Sequence, residues 1–242
     1  MSFFNKEIDF IFHLAAQINL RYSFENPPND ADVNIVGSLN VIQLAKKHNA
    51  KLIFASTGGA LYSDTLNEPP WNTWANIDPK SPYSLAKHTV ERYLKILEVK
   101  HVILRLSNVY GPRQNHKGEA GVVSIFINNI LDGKDLTIFG DGSQTRDFIY
   151  VDDVVEAFIG AVSLHPHNNN RAYNISTGIG TDITTIAHMI IGDMWANRSV
   201  VYSDPIPGEL KDSILNYNLP NWKPKVSLDE GIKRTVKYFS DI

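Results

Sequence analysis

Ile8 to Leu14 is an almost unbroken apolar run, and similar runs follow at Lys51–Ala55 and His101–Leu106. Short runs of that kind predict strands of a parallel sheet, buried on both faces. Between the first two, Val33, Val36, Leu39, Ile42, Leu44 and Ala45 supply the apolar positions of one long helix over Asn29–His48. Between the second and third, Tyr83, Leu85, Ala86, Val90, Tyr93, Leu94 and Leu97 recur at mostly helical spacing. They follow Pro82, a residue suited to a first helical turn. Strand, helix, strand, helix, strand is the pattern of an α/β fold with right-handed crossovers. Ser63–Ser81, rich in Pro, Asn and Asp, reads as a connecting loop.

Beyond Leu106 the pattern changes. Ser107–Gln114 leaves the third strand as a turn, and Gly121–Leu131 reads as a helix. Leu136–Phe139 reads as a short strand, Gly140-Asp141-Gly142 as a tight turn, and Arg146–Val151 and Ala172–Ser176 as further strands. Asp152 and Asp153 are N-cap candidates for a helix over Val154–Leu164. We therefore divide the chain into residues 1–107 and a smaller, mainly substrate-facing lobe, 108–242, with segments returning to the sheet.

Composition narrows the function. The 242 residues are 43% apolar, enough for a sizeable core. A net charge of −3 without a basic block argues against a nucleic-acid or membrane-surface partner. The absence of cysteine excludes disulfides, thiolate metal sites and a cysteine nucleophile. No apolar run reaches membrane-spanning length and no leader pattern opens the chain, so the expectation is a cytoplasmic protein. His13 has no partner at metal-ligand spacing and reads as a packed strand histidine.

The candidate chemistry begins with Tyr83 and Lys87, four apart and hence on one helix face. An ammonium beside a phenol favours the phenolate, so the tyrosine could act as a base below its solution pKa. A core tyrosine and a solvated lysine are the alternative. Ser56-Thr57-Gly58-Gly59 ends the second strand, either as a simple turn or as a place where hydroxyls meet a reacting group. Ala15, Ala16 and Gln17 end the first strand in small residues, where sheets of this class approach a cofactor. Asn34 is either an ordinary polar helix residue or reaches back to that strand's end.

These stretches occur in order with Asn108-Val109-Tyr110-Gly111-Pro112-Arg113-Gln114, Gly118–Val123, Phe139-Gly140-Asp141-Gly142, Arg146-Asp147, Val151-Asp152-Asp153, Pro207-Gly208-Glu209 and Trp222-Lys223-Pro224. Together they resemble the extended short-chain dehydrogenase/reductases, and most closely nucleotide-sugar epimerases of the UDP-glucose 4-epimerase type. The resemblance implies a Rossmann-like parallel sheet, an NAD cofactor, a UDP-sugar substrate and a place in carbohydrate metabolism. Tyr83 would take the proton of the sugar 4-hydroxyl while C4 gives hydride to NAD, and hydride would return to the other face of the keto-sugar. Lys87 would hold the nicotinamide ribose. Thr57, with Ser56 as second choice, would share the substrate hydroxyl's hydrogen bond. Ala15, Ala16, Gln17 and Asn34 would line the cofactor. Asn108, Val122, Phe139, Arg146 and Glu209 would meet the substrate, Arg146 through a phosphate oxygen. A homodimer would form through helices at about 30–48 and 82–98.

The pattern also departs from that family. Its Gly-x-x-Gly-x-x-Gly turn is absent from the 242 residues, and Ile8–Leu14 resembles the fourth strand of such a sheet. The expectation is an incomplete NAD-binding lobe lacking its first strands, with an exposed apolar edge beside Ile8–Leu14. Ile206 and Asp212 stand where relatives carry basic residues, and the small Ser213 leaves room for an N-acetylated sugar. A 4,6-dehydratase is the nearest rival, but its Asp-Glu pair is Gly58-Gly59 here. A reductase using the same Tyr and Lys, and a cofactor-free nucleotide-sugar-binding protein, are the others.

Overall fold

The computed structural model describes residues 7–62, 68–116, 121–205 and 210–241. The first half runs β1 (Phe10–His13), α1 (Leu20–Glu25), α2 (Pro27–Ala31), a π-helical turn (Asp32–Val36), α3 (Gly37–His48), β2 (Lys51–Thr57), α4 (Pro82–Ile96) and β3 (His101–Leu106). The second runs β4 (Asn108–Tyr110), α5 (Val122–Leu131), β5 (Leu136–Phe139), β6 (Thr145–Tyr150), α6 (Val151–Val162), a 3-10 turn (Pro166–Asn168), β7 (Arg171–Ile175), β8 (Gly180–Asp182), α7 (Ile183–Asp193), β9 (Val200–Ser203), β10 (Asp212–Ser213) and α8 (Leu228–Ser240).

A four-stranded parallel sheet, in the order β1-β2-β3-β7, positions the site. Strand alternation splits its side chains between two cores. Leu52, Phe54 and Ile103 face Ile42, Ala45, Val90 and Leu94 of α3 and α4. Ile53, Val102 and Leu104 face Ala157, Phe158 and Ala161 of α6. β7 is supplied by the second half of the chain and closes one side of the sheet. A separate core joins α5, α7, α8, β5 and β6 through Phe126, Ile127, Leu136, Ile186, Ile190 and Ile232.

Four details differ from the sequence expectation, the first being that Asn108–Tyr110, expected within a turn, pairs with β6 as the short strand β4. Ile8–Leu14 was expected as a buried strand, but β1 is only four residues long and Phe10 and Phe12 remain 43% and 45% exposed. β1 is the last strand of the sheet on that side, so nothing among the described residues covers its outer face. The helix expected over Asn29–His48 is interrupted at Asp32–Val36 by a wider π turn. Asp152 and Asp153 do not cap α6, which starts at Val151. The Asp153 carboxylate instead accepts the backbone N–H groups of Lys225 and Val226, at 3.1 and 3.0 Å, and so fastens the approach to α8.

α8 packs close through Gly231. A Cβ there would lie 2.0 Å from the Tyr110 hydroxyl and 2.8 Å from its ring carbon. Tyr110 is itself buried and cannot swing away. Gly231→Ala gains about 1 kcal/mol of helix propensity but incurs about 1–3 kcal/mol of overpacking, and the short contact puts it at the upper end. A net loss of stability is expected, read as a lower urea midpoint at unchanged slope.

Candidate active site

The site forms at the carboxyl ends of β1 and β2, against the first turns of α4. Ser81 caps α4 through a reciprocal capping box with Ser84, and Pro82 opens it. That start fixes Tyr83 and Lys87 on the face turned towards β2. Lys87 is buried, and its ammonium donates to the Ala55 carbonyl at 3.0 Å. It also lies 5.0 Å from the Phe54 ring centre and 5.9 Å from that of Tyr83. Among the described residues Ala55 O is its only hydrogen-bond acceptor, so two buried donors are left over.

The two hydroxyls of β2 have different surroundings. Ser56 is buried and donates to the Glu91 carboxylate at 2.6 Å. The hydroxyls of Thr57 and Tyr83 make no hydrogen bond among the described residues. Thr57, Tyr83 and Lys87 thus present unsatisfied polar atoms at one sheet edge, whereas the oxygen of Ser56 is already engaged.

At the end of β1, Asn34 explains the π turn. Its amide accepts from the Gln17 N–H and donates to the Gln17 carbonyl, both at 3.0 Å, and donates to Asp30 at 2.9 Å. Gln17 also donates to Asp30, at 2.8 Å. The backbone at Gln17 is thereby fixed, with Ala15 and Ala16 just before it. His13 is buried and shares a 2.8 Å hydrogen bond with Ser38, a packed histidine as expected.

Electrostatics alter one sequence inference. Burial, reinforced by the negative charge of Asp30, pushes the Tyr83 phenol up to about 12 rather than below its solution value. Burial draws Lys87 down to about 8, with Asp30 opposing. Desolvation outweighs the ammonium's attraction for a phenolate in the protein alone. His13 is drawn down to about 4 by burial and then by the Lys87 charge. A histidine held neutral in the fold destabilises it progressively as pH falls from the unfolded value near 6.5 towards 4. From pH 7 to 5 this amounts to about 2 kcal/mol, and His13→Gln should flatten that part of the urea-midpoint profile.

The remaining candidates come from the second half of the chain. Asn108 opens β4, and its Oδ1 lies 3.4 Å from where a side chain on Gly59 would begin. Ser213 is buried and donates to the Gly59 carbonyl at 3.0 Å, so the Gly58-Gly59 turn rests on both. Val122 opens α5. Phe139 ends β5 partly exposed, with the Arg21 guanidinium of α1 stacked 5.2 Å over its ring. That stack joins the first half of the chain to the second. Arg146 donates to the carbonyls of Thr145 and Lys211, at 2.8 and 3.2 Å. Asp147, its neighbour in the chain, is fully buried and accepts from Thr177 and Gly178. Glu209 and Ile206 lie outside the described residues.

Sequence reasoning missed Asp30, Glu91 and Arg105. A usable signal existed for two of them. Arg105 interrupts an apolar strand and Glu91 falls one turn after Lys87, and charges in such places require partners.

The chain matches the model of the NAD dependent epimerase/dehydratase family over residues 1–176. It is 38% identical over 240 residues to the UDP-glucose 4-epimerase of Mycolicibacterium smegmatis, covering 95% of this chain and 75% of that protein. It is 34% identical to UDP-glucuronic acid decarboxylase 1 of Danio rerio, covering 97% of this chain and 58% of that one. The crystal structure of UDP-glucose 4-epimerase from Thermotoga maritima with UDP-glucose superposes with a TM-score of 0.92 at 40% identity, over 96% of this chain and 77% of that one. On these matches the chain belongs to the NAD dependent epimerase/dehydratase family.

Proposed function

We propose that the chain is a nucleotide-sugar 4-epimerase acting on UDP-glucose and UDP-galactose or their N-acetylated forms. The observation that carries this reading is the set of unsatisfied polar atoms on Thr57, Tyr83 and Lys87 at one sheet edge. The residues fit the nicotinamide half of NAD: the two spare donors of the buried Lys87 suit a ribose diol. The Ala15-Ala16-Gln17 backbone, held by Asn34, gives close approach. NAD, when bound, supplies the two-electron acceptor for the sugar carbon and a positive charge beside the phenol. Tyr83 exchanges the proton of the sugar 4-hydroxyl, and Thr57 holds that oxygen in line. The nearby positive charge favours the phenolate and offsets the desolvation that raises it. Asn108, Val122, Phe139, Arg146 and Glu209 bind the sugar nucleotide, so that residues 1–107 hold the cofactor and 108–242 mainly the substrate. Gly58-Gly59 offers no acid or base beside Thr57, which disfavours elimination of water.

The helices flanking the site carry exposed apolar side chains, Val33 and Val36 on the π turn and Leu85, Tyr93 and Ile96 on α4. A second copy of the chain covering them is the dimer that fits the reading. None of the helices among the described residues is long and apolar enough to cross a membrane.

The test is to incubate the protein with NAD and UDP-galactose and follow UDP-glucose by chromatography. Interconversion without net NADH is expected. Net oxidation of NADH when it replaces NAD in the assay would make it a reductase, and loss of carbon dioxide from UDP-glucuronic acid would align it with the decarboxylase relative. UDP-sugar binding without turnover would leave a binding protein.

A further inference from the structure

Glu91 lies one turn beyond Lys87 and two beyond Tyr83 on the same face of α4, and it is almost fully buried. Its carboxylate accepts three hydrogen bonds, from two strands of the sheet. Ser56 of β2 donates at 2.6 Å. Arg105 of β3 donates twice, through Nε at 3.0 Å and Nη2 at 2.6 Å. His88, on α4 itself, stands 3.6 Å away. Arg105 is opposite Ser56 in the parallel register, so the pair sits directly behind Thr57. The other arm of Arg105 donates to the Tyr62 hydroxyl at 2.9 Å, and Tyr62 donates to Asn174 of β7 at 2.6 Å.

The arrangement ties α4 to β2 at two successive turns, Lys87 to Ala55 and Glu91 to Ser56. The same carboxylate therefore fixes the helix that carries Tyr83 and Lys87 and the strand that carries Thr57. A bidentate guanidinium gives this tie a direction as well as strength.

We infer that Glu91, clamped by Arg105 and Ser56, is a positioning residue that sets Tyr83 and Lys87 against the Thr57 end of β2. This rests on the epimerase reading of the same site. Misplacement by about 1 Å can lower turnover by up to about a hundredfold without touching substrate affinity.

Two variants test it, Glu91→Gln and the milder Ser56→Ala, each checked for folding by circular dichroism. The first readout is kcat against KM, with kcat expected to fall about ten- to a hundredfold and KM to stay within about twofold. The second needs no turnover. It is the rate of acetylation of Lys87 by acetic anhydride relative to exposed Lys237, by peptide mass spectrometry. Loosening the tie should raise this ratio several-fold. If Glu91→Gln fails to fold, Ser56→Ala decides. An unchanged Lys87 ratio in a folded variant, or a loss carried by KM alone, overturns the inference. A wild-type protein that interconverts no sugar would instead defeat the epimerase reading, and the labelling ratio would still judge the positioning role.

Discussion

Tyr83→Phe should lower kcat by about 10²–10⁴-fold while leaving KM and the unfolding midpoint nearly unchanged. The range is that of a single positioned proton-transfer group. The separation of effects follows from the structure. The Tyr83 hydroxyl makes no hydrogen bond among the described residues, so its removal leaves no buried partner stranded. The ring remains to face Lys87. Steady-state kinetics on UDP-galactose with added NAD, alongside a urea titration, measure both halves. A variant as active as the wild type would remove the phenol from the mechanism. A variant that lost several kcal/mol of stability would show that the hydroxyl supports the fold.

Arg105→Met should be the opposite case, a loss of stability of about 3–5 kcal/mol. Arg105 and Glu91 are both buried, and the guanidinium is the main cationic partner of that carboxylate. Burial alone would raise the Glu91 pKa, but the nearby His88 ring, the hydrogen bonds from Arg105 and Ser56 and the Arg105 charge hold it below the usual carboxylate range. Removing Arg105 strands a charge away from water. For a chain of this size the loss corresponds to a fall in melting temperature on the order of 10 °C. The direction of the pKa shift adds a pH signature. A carboxylate held low in the fold stabilises it above the unfolded value near 4.3, and that contribution disappears as pH falls through the lower folded value. The wild type should therefore lose this increment in acid, and Arg105→Met should have little of it left to lose. Arg105→Met combined with Glu91→Leu should recover much of the stability, because it removes both charges together.

Periodicity located the central sheet because buried parallel strands are apolar on both faces and cannot resemble loops. β2 and β3 were legible for that reason. β1 was legible as a strand but not as an exposed one, since apolar content reports what a residue prefers and not whether a neighbour is present. The start of α4 followed from Pro82, whereas its Ser81 cap did not. The π turn did not, because it depends on Asn34 bonding a backbone 17 residues away. At the site, the four-residue spacing of Tyr83 and Lys87 was readable as a shared face. The pKa direction was not, because it depends on burial and on Asp30, a contact between separate helices. That the Ser56 oxygen is engaged by Glu91, 35 residues further along the chain, was likewise not readable.

The π turn at Asp32–Val36 amounts to one inserted residue, since an α-helix would close the same rise with one fewer. Deleting a single position there would let the helix relax into regular winding, with the flanking turns kept in phase and the displacement confined to the turn that carries Asn34. Asn34 would then swing off Gln17, and the strand end it braces would be released without any change to an active-site side chain. Indel variants in this turn thus offer a test of the proposed cofactor contacts that leaves Tyr83 and Lys87 in place.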